Sequence, residues 1–473
     1  MSRRFGSTKQ IQPWHERVLG MDPRAWIAFR LGLGVALIWN LVTLWPDLSA
    51  FYTDQGIWPV GRWWQAFRQG DWLFSLHALS GALLWQQALW VLSLVAAVLL
   101  AAGWRTGWLL PLNWLLLISL QNRFETIAFG GDTLLRMLLF WSFWMGYALP
   151  VRRHTAKNRF SLGAIFIKCQ VLLMYWVTVA LKSGPEWFPD GTALIYAFQA
   201  DHIVMPGGAW LLSVSAPELL QLLTAGAWLL EWLAPVGLLM PWPWVRMTSV
   251  LLLMLLHGGI LLTLNVHWFP LVNIVALIPF IPTEVWDVFR FPVPRPFRLR
   301  VAPSLWLKNA WTGLALSACV LVLWVNLASL SPAVLFPGWA SSLARVCRLD
   351  QYWGMFAPHP MKKDGWYLIK GKRTDGAFVD VLSGRAFLPA DVPGRVRWQG
   401  TPYTRFRWQK YLEDLIQDGT PGQYQELVRY WCEQNTTLKD IAVFYRQSPL
   451  DSRPAVSRQN KAQYYTLGRY ACR

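Results

Sequence analysis

Charged residues are scarce in this chain: Asp, Glu, Lys and Arg make up 15% of its 473 residues, whereas 54% of the residues are hydrophobic. Soluble globular domains typically carry about 25% charged residues, and disordered chains are poorer in apolar residues than folded ones. The composition therefore excludes an ordinary soluble domain and an intrinsically disordered protein.

Cysteine and histidine are also rare, with five and seven copies. Structural zinc sites need closely spaced Cys and His ligands, but no Cys-x-x-Cys pair occurs and the histidines are scattered. We therefore expect no metal. The chain also lacks acidic residues relative to basic ones, which gives a net charge of +18. Basic cytoplasmic loops that meet anionic lipid explain this excess better than nucleic-acid binding does.

What the chain has in abundance is long apolar runs and tryptophan, with 33 copies of the latter. A helix of about 20 apolar residues crosses a bilayer core, and tryptophans mark the ends of such helices. The pattern predicts an all-α polytopic membrane helix bundle. Nine spans are predicted, or eight if the short third or eighth span is re-entrant: Ala25–Trp45, Ala82–Ala102, Trp108–Leu120, Leu134–Pro150, Leu162–Leu181, Leu219–Met240, Met247–Leu264, Phe269–Ile281 and Trp311–Leu330.

The loops between these spans alternate in charge. The N-terminus and the segments GWRTGW, VRRHTAKNR, PWPWVR and FRFPVPRPFRLRVAPSLWLK are basic, whereas Pro46–Gly81, Gln121–Asp132 and Lys182–Glu218 are much less so. Basic loops stay in the cytoplasm. We therefore expect a multi-pass protein of the cell inner (plasma) membrane, with a cytoplasmic N-terminus and, after nine crossings, an extracytoplasmic C-terminus.

The C-terminal part has a different pattern. Residues 1–336 form the predicted transmembrane domain, and residues 337–473 form a small α+β extracytoplasmic tail. Two alternating runs, WYLIKGK and AFVDVL, flank a Thr-Asp-Gly turn and predict a β-hairpin. Amphipathic helices are expected at Tyr411–Gln417 and Tyr424–Glu433, followed by a strand, DIAVFYR.

Three cysteines, Cys347, Cys432 and Cys472, fall in the tail. An external compartment permits disulfides. A bridge between Cys432 and Cys472 is favoured, because Cys432 closes a predicted helix and Cys472 would hold down a C-terminus that otherwise frays. The alternative is that all thiols are reduced and buried.

Polar residues inside the apolar spans are the candidates for function, because each is costly in lipid. Lys182, in VTVALKSGPEWF, and His257, in LLHGGILL, are the candidate catalytic residues. The topology places both near the outer side, where an outward-opening cavity would also collect the candidate substrate-binding residues Asn122, Arg123, Glu125, Asp132, Trp187, Glu231, Asn265 and His267.

Each candidate also has a structural explanation. Lys182 could be an interface anchor whose ammonium group reaches the headgroups, and His257 could be a packing residue bonded across helices. Asp132 and Arg136 could pair with each other at the start of span four. Glu231 could pair with an arginine or be protonated.

Two stretches resemble a known family. NRFETIAFGGDTLLRMLLFWSFWMGYALP resembles the signature of the HTTM domain, which vitamin K-dependent gamma-carboxylase shares with many bacterial proteins. MYWVTVALKSGPEWFPDGTAL is similar to the carboxylase segment that contains its base lysine, which matches Lys182; a span-seven histidine matches His257. QYWGMFAPHP and DGWY resemble the tail of bacterial HTTM proteins. The histidine that animal carboxylases carry before span four has no counterpart here, where Glu125 lies in FETIAFGG.

The resemblance implies an enzyme that uses Lys182 to deprotonate a vitamin K-type quinol, menaquinol or phylloquinol, with oxygen and carbon dioxide as further reactants. Desolvation disfavours a lysine ammonium, so a neutral amine would be available, and His257 could orient the quinol or relay its proton. Glu186 or Asp190 could oppose this by pairing with Lys182. The alternatives are a non-catalytic assembly protein, which holds membrane lipid and binds a protein partner through its tail, and a transporter.

Overall fold

Helices dominate the fold of the chain. A computed structural model describes residues 13–68, 73–146, 161–289, 305–390, 392, 394–452 and 462–472. The helices are α1 (Trp14–Leu19), α2 (Pro23–Leu44), α3 (Leu48–Tyr52), α4 (Val60–Arg68), α5 (Leu83–Ala102), α6 (Thr106–Arg123), α7 (Gly130–Ser142), α8 (Leu162–Leu181), α9 (Ala193–Gln199), α10 (Pro206–Val214), α11 (Pro217–Leu238), α12 (Pro243–Thr263), α13 (Phe269–Leu277), α14 (Thr283–Val288), α15 (Leu305–Leu330), α16 (Gly338–Val346), α17 (Gly394–Arg397), α18 (Phe406–Asp418) and α19 (Pro421–Gln434). The strands are β1 (Lys363–Arg373), β2 (Phe378–Asp380), β3 (Leu438–Pro449) and β4 (Gln463–Ala471).

Six helical segments in the described part of the chain are long and apolar enough to cross a membrane. These are Pro23–Tyr52, Leu83–Ala102, Leu162–Leu181, Pro217–Leu238, Pro243–Thr263 and Asn309–Leu330. They are compatible with the predicted multi-pass membrane protein. The other three predicted spans coincide with α6, α7 and α13, which are helical but shorter or less apolar, so the count of nine stays a prediction. The end of the predicted fourth span and the basic segments 151–159 and 290–304 lie outside the described residues.

Helix α8 lies at the centre of the bundle. Its apolar window is 67% buried, compared with 28% for α11, α12 and α15, and it packs against α7, α11, α13 and α15. Helices that are apolar on all faces bury one face against neighbours and leave the others for lipid. The central helix, which ends at Leu181, therefore contacts other helices on several sides.

The N-terminal segment is bonded to the bundle at the end where α8 begins. Lys168 is buried in α8, and its Nζ donates hydrogen bonds of 2.7 Å to the carbonyl oxygens of Val18 and Gly20. Arg246 of α12 donates to the carbonyl of Arg17 at 3.0 Å. These two hydrogen bonds offset part of the cost of burying the amine. Lys168 was not singled out from the sequence.

The tail contains a four-stranded antiparallel sheet with the order β2-β1-β3-β4. The predicted hairpin is confirmed by β1 and β2, and Gly376 adopts a φ of 88° at its turn. The two predicted helices are confirmed as α18 and α19, and the predicted strand lies within β3. The sequence did not predict β4, which pairs with β3 along its length.

The predicted disulfide is present between Cys432 and Cys472. It joins the end of α19 to the residue that follows β4. Cys347 is a free thiol, as the pairing requires. The bridge therefore links the edge strand β4 to α19.

The tail packs directly on the ends of the bundle helices. Arg407 of α18 is buried and donates hydrogen bonds to Asn40 in α2, at 2.5 Å to its side-chain Oδ1 and 3.2 Å to its carbonyl. The rings of Phe51 in α3 and Trp408 in α18 are 4.8 Å apart. The core of the tail is thus continuous with the apolar residues that follow α2.

Candidate functional site

Lys182 lies at the C-terminal end of α8 and contacts Glu231 of α11. Its Nζ is 2.5 Å from Oε2 of Glu231, and the two side chains are 8% and 11% exposed. Helix α11 packs against α8, and this packing brings the two residues together across 49 positions of sequence. Lys182, not an arginine, is therefore the partner of Glu231.

Glu186, four residues later, does not take the role that was considered for it. Its carboxylate accepts hydrogen bonds from His359 Nδ1 at 2.8 Å and from Lys362 Nζ at 2.5 Å. Burial disfavours the charged form, but these hydrogen bonds outweigh it and hold the pKa of Glu186 down, at about 2. Glu186 thus joins the turn after α8 to the segment that enters the tail.

The same turn places an aromatic ring over the lysine. Nζ of Lys182 is 4.4 Å from the centroid of the Trp187 ring, a cation–π distance. The indole N–H of Trp187 donates to the carbonyl of Phe356 at 3.2 Å, and the N–H of Gly184 donates to that of Pro358 at 3.0 Å. A Cβ at Gly184 would lie 2.7 Å from the Pro358 oxygen, so glycine is required for this close approach.

His257 lies beside the same site and is bonded to Tyr175. The Tyr175 hydroxyl and His257 Nε2 are 2.8 Å apart. Both residues are buried, and His257 Nδ1 has no hydrogen-bond partner within the described ranges. Tyr175 lies in α8, Glu231 in α11 and His257 in α12, and α11 packs against both other helices. We call these two buried pairs, Lys182 with Glu231 and Tyr175 with His257, the Lys182 cluster.

Tyr175 was missed by sequence reasoning, although a signal was available. Tyr175 lies in α8, and Lys182, seven residues later, directly follows the last residue of that helix. Residues spaced by seven lie on one face of a helix, two turns apart. A tyrosine two turns before a lysine, on one face of an apolar helix, thus indicates the face that packs inside the bundle.

Asn122 and Arg123 are not part of the Lys182 cluster. The Asn122 side chain donates to the carbonyl of Phe74 at 2.7 Å, and the backbone carbonyl of Asn122 accepts from the Trp63 indole at 2.9 Å. Arg123 is 1% exposed and donates to the carbonyl of Trp58 at 2.5 Å. These hydrogen bonds hold the segment between α3 and α5, which includes α4, against the C-terminal end of α6.

Glu125 and Asp132 also have other partners. Glu125 forms ion pairs with Arg348 at 2.6 Å and Arg345 at 3.0 Å, both at the start of the tail. Asp132 is 3.5 Å from the side-chain nitrogen of Asn40, the residue that also accepts from the tail. Both carboxylates therefore lie where the bundle meets the tail.

The pairing of Asp132 with Arg136 that the spacing allowed is not seen among the hydrogen bonds and ion pairs of the described residues. Arg136 instead donates to the side-chain oxygen of Gln121 at 2.9 Å and to the carbonyl of Asp350 at 2.5 Å. Asp132 accepts from the backbone N–H of Phe129 at 3.3 Å and so caps α7. Arg136 therefore pairs with acceptors on α6 and the tail and not with Asp132.

Asn265 and His267 contact α18 of the tail. The Asn265 side chain donates to Gln409 at 3.2 Å. The His267 ring lies 4.7 Å from that of Phe406 and 5.1 Å from that of Phe129, and burial lowers its pKa to about 3. His267 is therefore neutral near pH 7 and packs as an aromatic residue. Of the ten candidate residues, Lys182 directly contacts Glu231 and Trp187, and His257 lies in α12, which packs beside α11.

The described residues contain no group of three or more His, Cys, Asp or Glu side chains that could hold a metal ion. No family model, no curated protein and no solved structure matches the chain. The Lys182 cluster combines a buried pair of an amine and a carboxylate with a buried pair of a phenol and an imidazole.

Proposed function

We propose that the protein is an integral membrane enzyme that resembles the HTTM family and uses Lys182 as a base toward a lipid-soluble quinol. The observation that supports this most is the buried contact of 2.5 Å between Lys182 and Glu231 at the end of an apolar helix. In a surrounding of low polarity, two isolated charges are costly. In the proposed resting state, Nζ is a neutral amine that donates one N–H to Oε2 of Glu231, and its lone pair is free to accept a proton.

The step itself is a proton transfer. The O–H bond of the quinol breaks, its proton forms a bond to Nζ of Lys182, and the electron pair stays on the quinolate oxygen. The resulting ammonium compensates the negative charge, and the ring of Trp187, 4.4 Å from Nζ, stabilises the ammonium in turn. Oε2 of Glu231 continues to accept a hydrogen bond from Nζ during this step.

The surrounding residues fit a vitamin K-type quinol, menaquinol or phylloquinol. Its flat ring suits the aromatic side chains of Trp187 and of the stacked pair Phe188 and Trp228, whose centroids are 5.2 Å apart. The unpaired Nδ1 of buried His257 suits a hydroxyl. A bound quinol supplies a phenolic oxygen whose anion reacts with oxygen; carbon dioxide is the further reactant that the resemblance implies. Within this proposal, Lys182 faces the extracytoplasmic side of the inner (plasma) membrane, and a protein substrate or partner meets the tail.

Substitution of Lys182 tests the proposal. We expect Lys182→Arg and Lys182→Ala to lose turnover by about 10²–10⁴-fold, because a guanidinium stays protonated and cannot act as a base. His257→Ala should lose activity to a smaller extent. The measurement is quinol-dependent oxygen consumption by the purified protein, first with the lipid that co-purifies, identified by mass spectrometry. Lys439→Arg, on an exposed residue of the tail, is the matched control.

A Lys182→Arg variant that retains turnover within a few-fold of the wild type would contradict the role of a base. The satisfied pairing of Lys182 with Glu231 favours a second function, a non-catalytic protein that holds membrane lipid. That function predicts no turnover in the wild type and an unchanged content of bound lipid in Lys182→Arg.

A further inference from the structure

Helix α16 follows the long apolar helix α15 and folds back against it. The indole N–H of Trp324 in α15 donates to the carbonyl of Leu335 at 2.9 Å, and the ring of Trp324 lies 5.8 Å from that of Trp339 in α16. Trp324 lies less than two helical turns, about 9 Å, before Leu330, where α15 ends. The first turn of α16 therefore lies beside the last two turns of α15 and not beyond its end.

One face of α16 consists of large apolar side chains that the described part of the chain leaves exposed. Trp339, Leu343 and Val346 are spaced by four and three residues, so they share a face, and they are 64%, 45% and 52% exposed. The face that packs on the protein carries only the small residues Ala340 and Ala344, which are buried. A helix on a water-exposed surface turns its large apolar residues inward. Helix α16 has the reverse arrangement, so water is not the medium expected around its large apolar face.

The polar residues of α16 lie on its remaining side. Ser341, Ser342 and Arg345 are exposed, and Arg345 forms an ion pair of 3.0 Å with Glu125. Glu125 belongs to the segment between α6 and α7, against which α18 of the tail packs. The polar side of α16 therefore turns towards the tail, away from its large apolar face.

We propose that α16 is an interfacial anchor, whose face of Trp339, Leu343 and Val346 lies in the lipid leaflet in which α15 ends. The apolar segment of α15 continues to Leu330, so α16 packs against a part of α15 that lies at membrane depth. Interfacial helices bury their apolar face about 5–10 Å into the boundary between head groups and acyl chains, which agrees with this position. Tryptophan is enriched at the same depth.

The exposed apolar surface of α15 adjoins this face and supports lipid as its partner. Leu327 lies three residues after Trp324, so the two are neighbours on the helix surface, and Leu327 is 52% exposed. Lipid that covers Leu327 would also reach the face of α16 beside Trp324. The proposal rests on the membrane location within the proposed function and not on its quinol chemistry.

Spin labelling of single cysteines identifies the medium around α16. Leu343→Cys and Ser342→Cys change adjacent residues on different faces, and each is labelled with a nitroxide after the three free cysteines have been replaced by serine. The full-length protein is placed in nanodiscs of phosphatidylethanolamine and phosphatidylglycerol. We expect the ratio of oxygen accessibility to accessibility for a water-soluble nickel complex to be several-fold higher at Leu343 than at Ser342. Val320→Cys in α15, at a residue that is 62% exposed, is the control for lipid contact.

Three outcomes would overturn the proposal, and they differ from one another. Equal access of the nickel complex to the labels at Leu343 and Ser342 would place the apolar face in water. Low accessibility of Leu343 to both reagents would show that a protein surface, such as a second copy of the chain, covers it. Access of the nickel complex to Val320 would overturn the membrane location of α15 together with the anchor.

A second pair of variants tests the anchor without a label. Helices shorter than about 12 residues are marginal in water, and α16 has nine residues. We therefore expect Leu343→Glu, which places a charge in the leaflet, to increase hydrogen exchange of the α16 amides in nanodiscs several-fold. Ser342→Glu adds the same charge on the polar side and should leave exchange unchanged. Equal exchange in the two variants would refute the anchor.

Discussion

At the residue scale, the contact between Lys182 and Glu231 predicts an effect on stability that is separate from any effect on activity. Glu231→Gln removes the carboxylate that accepts from Nζ of Lys182, and breaking a buried pair in this way costs about 3–5 kcal/mol. The double variant Lys182→Met/Glu231→Leu removes both polar groups and should recover most of that loss without recovering turnover. Thermal unfolding of the purified protein in detergent measures both effects.

Additive losses in the double variant would show that the two side chains stabilise the fold independently, which contradicts the contact between them. The matched pair for comparison is Arg345 with Glu125, whose side chains are 44% and 37% exposed. Exposed ion pairs contribute about 0–1 kcal/mol, so Arg345→Ala should change stability much less than Glu231→Gln does.

Residue identity could be predicted from the sequence better than residue pairing. Lys182 and His257 were found because a polar side chain in an apolar helix is costly wherever it points. Their partners depend on how α8, α11 and α12 are rotated about their axes, which tertiary packing decides. Glu231 was therefore found without its partner, and Tyr175 was not found, because a phenol in an apolar helix costs too little to be conspicuous.

At the element scale, the disulfide should be the main constraint on β4. Cys432 and Cys472 are 40 residues apart, and closing a loop of that size restricts the unfolded chain by about 4 kcal/mol in the entropic account. We expect Cys472→Ser to lower the free energy of unfolding of the tail by about 2–4 kcal/mol. Hydrogen exchange of the β4 amides, measured by mass spectrometry, should increase at the same time.

Cys347→Ser is the control for this experiment, because Cys347 is a free thiol. Protection of β4 that survives the loss of the bridge would mean that its pairing with β3 is sufficient to hold it.

The loop between α9 and α10 should give the tail a pH-dependent contact. Burial disfavours the charged form of His202, but its hydrogen bond to Asp364 and the charges of Glu413 and Asp201 outweigh burial and raise its pKa. A raised pKa in the folded state means that the stabilisation is complete below about pH 6.5, the ordinary histidine value, and is lost as the pH rises through the folded-state pKa. A hydrogen bond to a charged group contributes about 1.5–3 kcal/mol.

Unfolding of the wild type and Asp364→Asn, compared at pH 6 and pH 9, tests this contact. The stability difference between the two proteins should shrink at the higher pH. A difference that stays constant over this interval would show that His202 does not titrate there.

Elements whose sequence patterns reflect burial could be predicted from the sequence, whereas β4, which is mostly exposed, could not. The hairpin of β1 and β2 has alternating apolar residues around a glycine turn, and β1 is buried along most of its length. Most residues of β4 are exposed, and it lies at the edge of the sheet. An edge strand pairs through its backbone, so its side chains carry no alternation that a sequence pattern could show.

At the scale of the whole molecule, the orientation in the membrane is the prediction on which the proposed site depends. We expect a single cysteine at Ala156, in the basic segment 151–159, to react with an impermeant maleimide only after the cells are permeabilised. A single cysteine at Asp375, in the turn of the hairpin, should react in intact cells. Cys169, Cys319 and Cys347 are replaced by serine beforehand. The reverse labelling pattern would place the Lys182 cluster on the cytoplasmic side.

The turn after α8 has a mechanical consequence. The backbone of Gly184 and the indole of Trp187 are held by carbonyls of the segment that enters the tail, and Glu186 is held by His359 and Lys362 of the same segment. A displacement of the segment that enters the tail would therefore act directly on the Trp187 ring that covers Lys182, because no helix lies between them in this set of contacts. If a partner binds the tail and displaces this segment, the surroundings of Lys182 change, and by reciprocity a ligand bound at Lys182 would change the affinity for that partner.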